Sequence, residues 1–224
     1  MYTSLFLDID NTLLDFNMAE AVAVRKVLQQ NSLPYDDEAV KTYSNINRTY
    51  WERFERGEIP KSDIFEGRFK TLLQVFGTDG DVAAISEQYC ENLSEGYFKV
   101  DGAEDILDYL KGKGYKLYAT TNGLSSTQFK RIKNSGIEPY FDDIFVSEQA
   151  CHQKPEKEYF DYVIDNIPEK DKTKMLIIGD SQSSDILGGI NSGIDTCWYN
   201  PTASVAKYQS KFEISRLEQL KKLL

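Results

Sequence analysis

The sequence of 224 residues predicts an α/β fold, a parallel, doubly wound sheet interrupted by a block of helices. Two observations support this prediction. Five short apolar runs of strand length end in turn residues, and helical patterns of about ten residues separate the last four of them. Between the first run and the second, about a hundred residues contain helical patterns alone.

Each predicted strand is a short apolar run bounded by turn residues. They cover residues 5–9, 115–120, 144–147, 175–178 and 196–199. The helical patterns between the later strands cover residues 127–135, 157–166 and 184–192. Alternation of strands and helices is typical of a parallel sheet covered by helices on both faces.

The block of helices is predicted to be an insert in the α/β core. Its helical patterns cover residues 18–30, 37–54, 61–76 and 81–93, with loop signals between them. The chain leaves the core near Asp15 and re-enters it near Val100. We therefore expect residues 1–14 and 99–224 to form one core domain and residues 15–98 to form an all-helical domain.

The charge balance argues against a nucleic-acid partner. Acidic residues number 36 and basic residues 26, giving a formal net charge of −10 at pH 7, and no basic run occurs. A protein that grips nucleic acid needs clustered Lys and Arg to displace counterions from the phosphates. We therefore expect no nucleic-acid partner, and we attribute the acidic surface to solvated helix faces.

One histidine and three cysteines narrow the possible chemistry. His152 alone cannot supply the imidazoles of a three-His zinc site, an HExxH helix or a two-His iron site. Cys90, Cys151 and Cys197 are odd in number and widely spaced, which favours a reducing compartment over a disulfide framework. Without a signal-peptide pattern or a long apolar stretch, we expect a soluble cytoplasmic protein, monomeric or homodimeric, with no membrane partner.

Polar segments follow the predicted strands. They are Asp-Ile-Asp-Asn-Thr at 8–12, Thr-Asn-Gly at 121–123, Lys-Pro at 154–155 and Gly-Asp-Ser-Gln-Ser-Ser-Asp at 179–185. Ligands of open α/β sheets bind outside the carboxyl ends of the strands. We therefore expect these segments to meet in one acidic pocket that contains one lysine and one hydroxyl group.

Four aspartates in that pocket, Asp8, Asp10, Asp180 and Asp185, require a cation. Two carboxylates about 4 Å apart repel each other by roughly 4 kcal/mol at an effective dielectric constant of about 20. Oxygen ligands without His or Cys favour a hard cation, and a site partly open to water and phosphate favours Mg²⁺ over Ca²⁺. A divalent ion also lets an anionic carboxylate attack an anionic phosphate, which permits an aspartyl-phosphate intermediate that water then hydrolyses.

Position along the strands assigns the acidic residues their roles. Asp8, at the end of its strand, is the candidate nucleophile and a metal ligand. Asp10 lies at the following turn and is the candidate acid for the leaving oxygen and base for the attacking water. Asp180 completes the metal shell, and Asp185 orients that shell or Lys154.

The remaining residues of the pocket are candidates for binding phosphate. The Thr121 hydroxyl and the backbone N–H of Asn122 are expected to hold the phosphoryl oxygens, while Lys154 offsets their charge. Turn and cap roles are the alternative for each segment taken singly. The order and strand-end placement of all four segments favour the site.

Other motifs do not fit. An EF-hand starting at Asp8 needs glycine where Leu13 stands and glutamate where Ala19 stands. The sequence contains no GxxxxGK[ST], GxGxxG or GxSxG motif, and His152 lies far from residues 179–183, which disfavours a Ser-His-Asp hydrolase.

The four segments resemble, in order and across the whole chain, the motifs of the haloacid dehalogenase superfamily of phosphatases. The resemblance implies a Rossmann-like core with a helical cap inserted after the first motif, and Mg²⁺ held by Asp8, the Asp10 carbonyl and Asp180. An aspartate two residues after the first is similar to the phosphatase and mutase branch, because dehalogenases lack that acid.

Further stretches are similar to the YjjG-type pyrimidine 5′-nucleotidases. They lie at residues 67–69, 121–123, 147–148, 160–162, 184–191 and 196–198. The resemblance implies a Mg²⁺-dependent phosphomonoesterase that hydrolyses nucleoside 5′-monophosphates, preferentially pyrimidines, in a house-cleaning role. A sugar-phosphate phosphatase or phosphomutase is the alternative within the superfamily, and a phospho-acceptor signalling module is the alternative outside enzymes.

Four residues of the helical block are candidates to face the base or sugar: Phe16, Asn47, Trp51 and Arg68. Core packing is the stronger interpretation for the aromatic residues there. Trp51 with Phe54, and Phe65 with Phe69, have helical spacing that is typical of a buried helix face.

Overall fold

A computed structural model describes all residues, 1–224, and divides the chain into two compact units. The sheet unit comprises Met1–Asp15 and Phe98–Leu224, and the helical unit comprises Phe16–Tyr97. None of the helices combines the length and the apolar character needed to cross a membrane. Cys90, Cys151 and Cys197 are free thiols.

The sheet unit contains six parallel strands in the order β3-β2-β1-β4-β5-β6. Their bounds are β1 Ser4–Leu7, β2 Lys116–Thr121, β3 Asp143–Val146, β4 Met175–Gly179, β5 Asp195–Tyr199 and β6 Phe212–Ile214. The predicted Rossmann-like parallel sheet is confirmed. The sixth strand was not predicted, because three residues at a sheet edge are too few to show a period of two.

Strand β1 lies in the middle of the sheet and its side chains alternate between two cores. Leu5 and Leu7 pack in one apolar cluster with Ile106 and Leu110, while Phe6 packs in a second cluster on the other face. All four residues of β1 are at most 1% exposed. A strand buried on both faces needs the continuous apolar run that the sequence shows.

Five helices of the sheet unit cover the two faces of the sheet. They are α5 Ala103–Gly112, α6 Ser125–Asn134, α7 Ser147–Ala150, α8 Lys157–Asp165 and α9 Leu187–Ser192. Gly189 lets α9 approach β5 closely, because a Cβ at this position would lie 2.2 Å from the Thr196 methyl carbon. Helix α5 was not predicted, although Ile106, Leu107 and Leu110 have helical spacing and are fully buried.

The helical unit consists of four helices with a shared aromatic core. They are α1 Phe16–Gln30, α2 Asp37–Glu55, α3 Ser62–Phe76 and α4 Val82–Ser94. Side chains of Asp36 and Asp81 cap α2 and α4 by accepting backbone N–H groups at 2.9 and 3.1 Å. The rings of Tyr43, Phe69 and Tyr89 lie 5.1 to 5.4 Å apart and join three of the helices.

The sheet order places three strand ends side by side. Leu7 at the end of β1 pairs with Ala119 of β2 on one side and with Ile178 of β4 on the other. The residues that follow these strands therefore emerge at the same edge. The segments that begin at Asp8, Thr121 and Gly179 meet there.

Candidate active site

Asp8 stands at the centre of this edge and is held by the neighbouring strand. Its backbone N–H donates to the Ile178 carbonyl at 2.9 Å, which continues the sheet ladder for one residue beyond β1. The residue is 7% exposed. Its carboxylate oxygen Oδ1 accepts a hydrogen bond from Lys154 Nζ at 2.6 Å.

Lys154 is buried and all three protons of its ammonium group are engaged. Nζ donates to Asp8 Oδ1 at 2.6 Å, to Asp185 Oδ1 at 2.7 Å and to the Thr120 carbonyl at 3.0 Å. Burial acts to lower the pKa of Lys154, but the carboxylates of Asp185 and Asp8 outweigh it and raise this pKa. The lysine therefore stays charged between two aspartates.

Asn122 holds the loop that carries Lys154. Its side-chain amide donates to the Lys154 carbonyl at 2.8 Å and accepts from the Lys154 N–H at 2.9 Å. This reciprocal pair acts like one rung of a sheet ladder between two loops. The Thr-Asn-Gly segment thus positions Lys154 in addition to the expected backbone contact with phosphate.

Asp185 reaches Lys154 because the chain after β4 makes a π-helical turn, Gln182–Ile186. The carboxylate lies directly against Gly179, where a Cβ would be 2.1 Å from Oδ2. The Ser181 N–H donates to the same Oδ2 at 3.1 Å. Both oxygens of Asp185 are therefore used within the protein, and its contact is with Lys154, the second of the two partners predicted for it.

Asp180 is joined to the first segment by Thr12. The Thr12 hydroxyl contacts Asp180 Oδ1 at 3.4 Å and accepts the Asp180 N–H at 3.1 Å. Trp198 fixes the backbone from the other side, since its indole N–H donates to the Asp180 carbonyl at 2.8 Å. Thr12 is fully buried and was not among the predicted site residues.

The charge and donor set of this cluster fit a divalent cation. One carboxylate oxygen each from Asp8, Asp180 and Asp185 lies within 4.8 Å of the others. Burial raises the pKa of Asp8 to about 7 and raises that of Asp180, and repulsion by neighbouring carboxylates adds to both shifts. Because Asp185 is committed to Lys154 and Ser181, the oxygens of Asp8 and Asp180 are the ones available to an ion.

Asp10 faces two residues of α6 that the sequence did not single out. Its carboxylate accepts hydrogen bonds from Arg131 Nη1 and from Gln128 Nε2, the latter at 2.8 Å. The three aspartates above, Asp8, Asp180 and Asp185, have one cationic side chain among them, Lys154. The excess of two negative charges matches one Mg²⁺.

Thr121 has both acceptor positions of its hydroxyl filled by the protein. Oγ1 accepts from Gln128 Nε2 at 2.7 Å and from the Gly123 N–H at 3.1 Å. A hydroxyl has two acceptor lone pairs and one proton to donate. The proton of the Thr121 hydroxyl thus remains for donation to a ligand.

Two of the four candidates in the helical unit lie in its interior, whereas Phe16 and Trp51 are half-buried. Asn47 and Arg68 are 2% and 3% exposed and are hydrogen-bonded to each other at 2.9 Å. Trp51 makes an edge-to-face contact with Phe54, with ring centroids 5.8 Å apart. The contact between Trp51 and Phe54 agrees with core packing, the stronger interpretation for the aromatic residues.

Residues 5–199 match the family of haloacid dehalogenase-like hydrolases. The chain belongs to this family. The family and the enzyme class predicted from the sequence, a haloacid dehalogenase-type phosphatase, are confirmed.

Relatives of this haloacid dehalogenase-like hydrolase span nearly its whole length. The HAD-hydrolase YfnB of Bacillus subtilis is 41% identical over 225 residues, covering 100% of this chain and 95% of YfnB. Its crystal structure, bound to magnesium, is similar with a TM-score of 0.94, covering 100% of this chain and 98% of that one.

Two pyrimidine 5′-nucleotidases are also similar to this haloacid dehalogenase-like hydrolase. PynA of Streptococcus pneumoniae is 39% identical over 201 residues, covering 89% of this chain and 84% of PynA. YjjG of Escherichia coli is 30% identical over 196 residues, covering 88% of this chain and 85% of YjjG.

Proposed function

We propose that this protein is a Mg²⁺-dependent phosphomonoesterase of the cytoplasm that hydrolyses nucleoside 5′-monophosphates, preferentially pyrimidine nucleotides, through an aspartyl-phosphate on Asp8. The observation that carries the proposal is the Asp8 carboxylate, buried at the centre of the sheet edge and aimed by Lys154 at 2.6 Å. The pyrimidine preference is supported by the similarity to PynA and YjjG.

The first half of the reaction transfers the phosphoryl group to Asp8. Lys154 holds Oδ1, so Oδ2 is free to form a bond to phosphorus as the ester P–O bond breaks. Asp10 gives a proton to the departing 5′-oxygen of the nucleoside. The products of this half are a neutral nucleoside and the aspartyl-phosphate.

The second half returns the enzyme to its starting state. Asp10, now a carboxylate, takes a proton from water as that water attacks phosphorus. The bond between phosphorus and Asp8 breaks, and inorganic phosphate leaves. One ester bond and one water molecule are consumed in each cycle, and both aspartates are restored.

The phosphoryl group is bound by hydrogen-bond donors at the end of β2. The Thr121 proton and the Asn122 N–H are the proposed donors. Because the three protons of Lys154 are already engaged, its contribution to phosphate binding is its positive charge. Two hydrogen-bond donors and a nearby positive charge suit a phosphoryl group that is bound in a buried site.

Asp8 and Asp180 would hold Mg²⁺, together with the Asp10 carbonyl that the family resemblance implies. The ion supplies positive charge, which lowers the repulsion between an anionic nucleophile and an anionic phosphate. Asp185 acts through Lys154, since it keeps the ammonium group beside Asp8.

Phosphate release from a substrate panel tests the proposal. The purified protein is supplied with nucleoside 5′-monophosphates, sugar phosphates and p-nitrophenyl phosphate, each with Mg²⁺ or with EDTA. We expect metal-dependent release that is fastest with pyrimidine nucleotides. Release from sugar phosphates alone would indicate a sugar-phosphate phosphatase. Phosphate retained on an isomeric product would indicate a mutase. No turnover of any compound would overturn the proposal.

A further inference from the structure

We propose that Gln128 and Arg131 of α6 are positioning residues that aim the Asp10 carboxylate at the leaving group. The inference builds on the acid and base role proposed for Asp10. Neither residue touches the reacting atoms in this proposal. They act by fixing the position and rotation of the group that transfers the proton.

The two oxygens of Asp10 have separate donors. Arg131 Nη1 donates to Oδ1, and Gln128 Nε2 donates to Oδ2 at 2.8 Å. With one donor on each oxygen, the carboxylate cannot rotate without breaking a hydrogen bond. The Asp10 side chain is 27% exposed, whereas that of Arg131 is fully buried, so a buried group holds a partly exposed one.

Gln128 links the proposed acid and base to the proposed phosphate-binding hydroxyl. Its amide nitrogen has two protons, and they go to Asp10 Oδ2 and to Thr121 Oγ1 at 2.7 Å. Its amide oxygen accepts from Arg131 Nη1 at 3.0 Å. The opposite amide orientation would place Oε1 against a carboxylate and the NH₂ group against a guanidinium, so the network admits one orientation only.

The backbone around this network accommodates it. Gln128 and Arg131 are three residues apart in α6, which places both side chains on one helix face. Gln128 crosses directly over Gly123, where a Cβ would lie 2.6 Å from Gln128 Cγ. The glycine of the Thr-Asn-Gly segment therefore leaves the room through which Gln128 reaches Asp10 and Thr121.

The location of Asp10 explains why its side chain needs positioning residues. Asp10 lies beyond the end of β1 at the start of a turn, where its backbone forms an isolated bridge with Leu14, and the next residue, Asn11, has a positive φ of 58°. The sheet ladder does not restrain a side chain in this turn, yet proton transfer requires hydrogen-bond reach of the leaving oxygen. A displacement of about 1 Å can lower a catalytic rate by roughly 10²-fold.

The test compares two leaving groups in variants of the network. A nucleoside leaves as a strongly basic oxygen and needs the proton from Asp10, whereas p-nitrophenolate leaves without one. The value of kcat/KM reports the steps up to loss of the leaving group. For Gln128→Met and Arg131→Met, we expect kcat/KM to fall by roughly 10- to 100-fold with a nucleoside monophosphate and by less than about threefold with p-nitrophenyl phosphate.

Matched variants separate positioning from folding. Arg131→Lys restores part of the loss with the nucleotide, because it keeps a cation near Asp10. Lys133→Met, on the exposed side of α6, retains wild-type values with both substrates. If Arg131→Met fails to fold, as its melting temperature would show, Gln128→Met and Gly123→Ala carry the test, since the added methyl group displaces Gln128.

A double-mutant cycle gives the decisive result. In an Asp10→Asn background, Gln128→Met should cause no further change in the ratio of the two kcat/KM values, because the group being positioned is already lost. Equal losses with both substrates in the single variants, or the full additional loss in the Asp10→Asn background, would overturn the inference. If the wild-type protein hydrolyses neither substrate, the proposed function fails instead.

Discussion

The helical unit and the sheet unit both bury charged side chains, but they compensate the charges differently. In the helical unit, Glu20 accepts hydrogen bonds from Ser44 and Asn47, each at 2.6 Å. Asn47 also accepts from Arg68 at 2.9 Å, so one amide joins one acid to one base. The Arg68 guanidinium lies over the Tyr89 ring at 4.6 Å. The net charge of this cluster is zero.

The sheet unit leaves its cluster unbalanced. Lys154 contacts Asp8 and Asp185, while Asp180 forms no ion pair. Burial raises the pKa of Glu20 as it raises that of Asp8, so desolvation alone does not distinguish the two places. An excess of one charge sign at converging strand ends distinguishes a candidate active site from a polar core.

The largest expected effect is on activity, and it distinguishes Asp8 of the sheet unit from Glu20 of the helical unit. Asp8→Asn removes the proposed nucleophile and should lower kcat for phosphate release by roughly 10⁴-fold or more. Glu20→Gln keeps the shape of its side chain and should leave kcat within about threefold of the wild-type value. Steady-state phosphate release measures both. A comparable loss in Glu20→Gln would break the distinction between the two units.

The second prediction compares the contributions of two buried cations, Lys154 and Arg68, to the stability of the protein. Lys154→Met removes the cation that contacts Asp8, and Arg68→Met removes the cation joined to Glu20 through Asn47. Each leaves a buried carboxylate without its compensating charge and should lower the free energy of unfolding by about 3–5 kcal/mol. Adding Glu20→Gln to Arg68→Met should recover most of that loss. Adding Asp185→Asn to Lys154→Met should recover only part, because Asp8 and Asp180 remain.

Urea unfolding in EDTA measures these four variants against the wild-type protein. Recovery of equal size in both units would mean that the sheet unit is as well balanced as the helical unit. That result would contradict the charge excess on which the metal assignment depends.

The third prediction concerns the ion itself. Mg²⁺ at about 100 times its dissociation constant should stabilise the wild-type protein by about 2.7 kcal/mol. Asp180→Asn should abolish this gain, and Glu20→Gln should retain it. Melting temperatures with Mg²⁺ and with EDTA provide the measurement. An undiminished Mg²⁺ effect in Asp180→Asn would place the ion elsewhere.

The smallest expected effect concerns Asp142, whose pKa is lowered, whereas the pKa of Asp8 is raised. Asp142 accepts from Lys116 and Lys111 at 2.9 Å and from the Leu117 N–H at 3.0 Å. Partial burial acts to raise the pKa of Asp142, but these hydrogen bonds outweigh it and lower the pKa to about 2. Its stabilising effect is therefore present above the unfolded pKa of about 3.9 and is lost as the pH falls through about 2.

Asp142→Asn should lower the free energy of unfolding by about 1 kcal/mol at pH 7 and by less near pH 2. For Asp8 the sign is reversed, because a raised pKa makes its charge increasingly costly as the pH rises from about 4 to about 7. Urea titrations at both pH values measure the difference between wild type and Asp142→Asn. An equal difference at both would show that Asp142 acts without its charge.

Much of the fold and part of the site could be predicted from local pattern. Apolar runs at residues 5–9 and 175–178 identify β1 and β4, which end at Leu7 and Gly179 in the structure, and they point to Asp8 and Asp180 as the acidic residues near those ends. Helical periodicity identifies the four helices of the helical unit with ends within two residues of those in the structure. The π-helical turn at Gln182–Ile186 escaped prediction, because its hydrogen bonds have no distinct sequence period.

The sequence by itself determined, to within two residues, where the first five strands end and therefore which chemical groups gather at the sheet edge. Only the tertiary structure decided how those groups pair: Lys154 with Asp185 and Asp8, and Asp10 with Gln128 and Arg131. Periodicity describes neighbours along the chain, whereas Asp10 and Arg131 are 121 positions apart and Asp8 and Lys154 are 146 apart. Their contacts depend on the strand order, which brings distant segments to one edge.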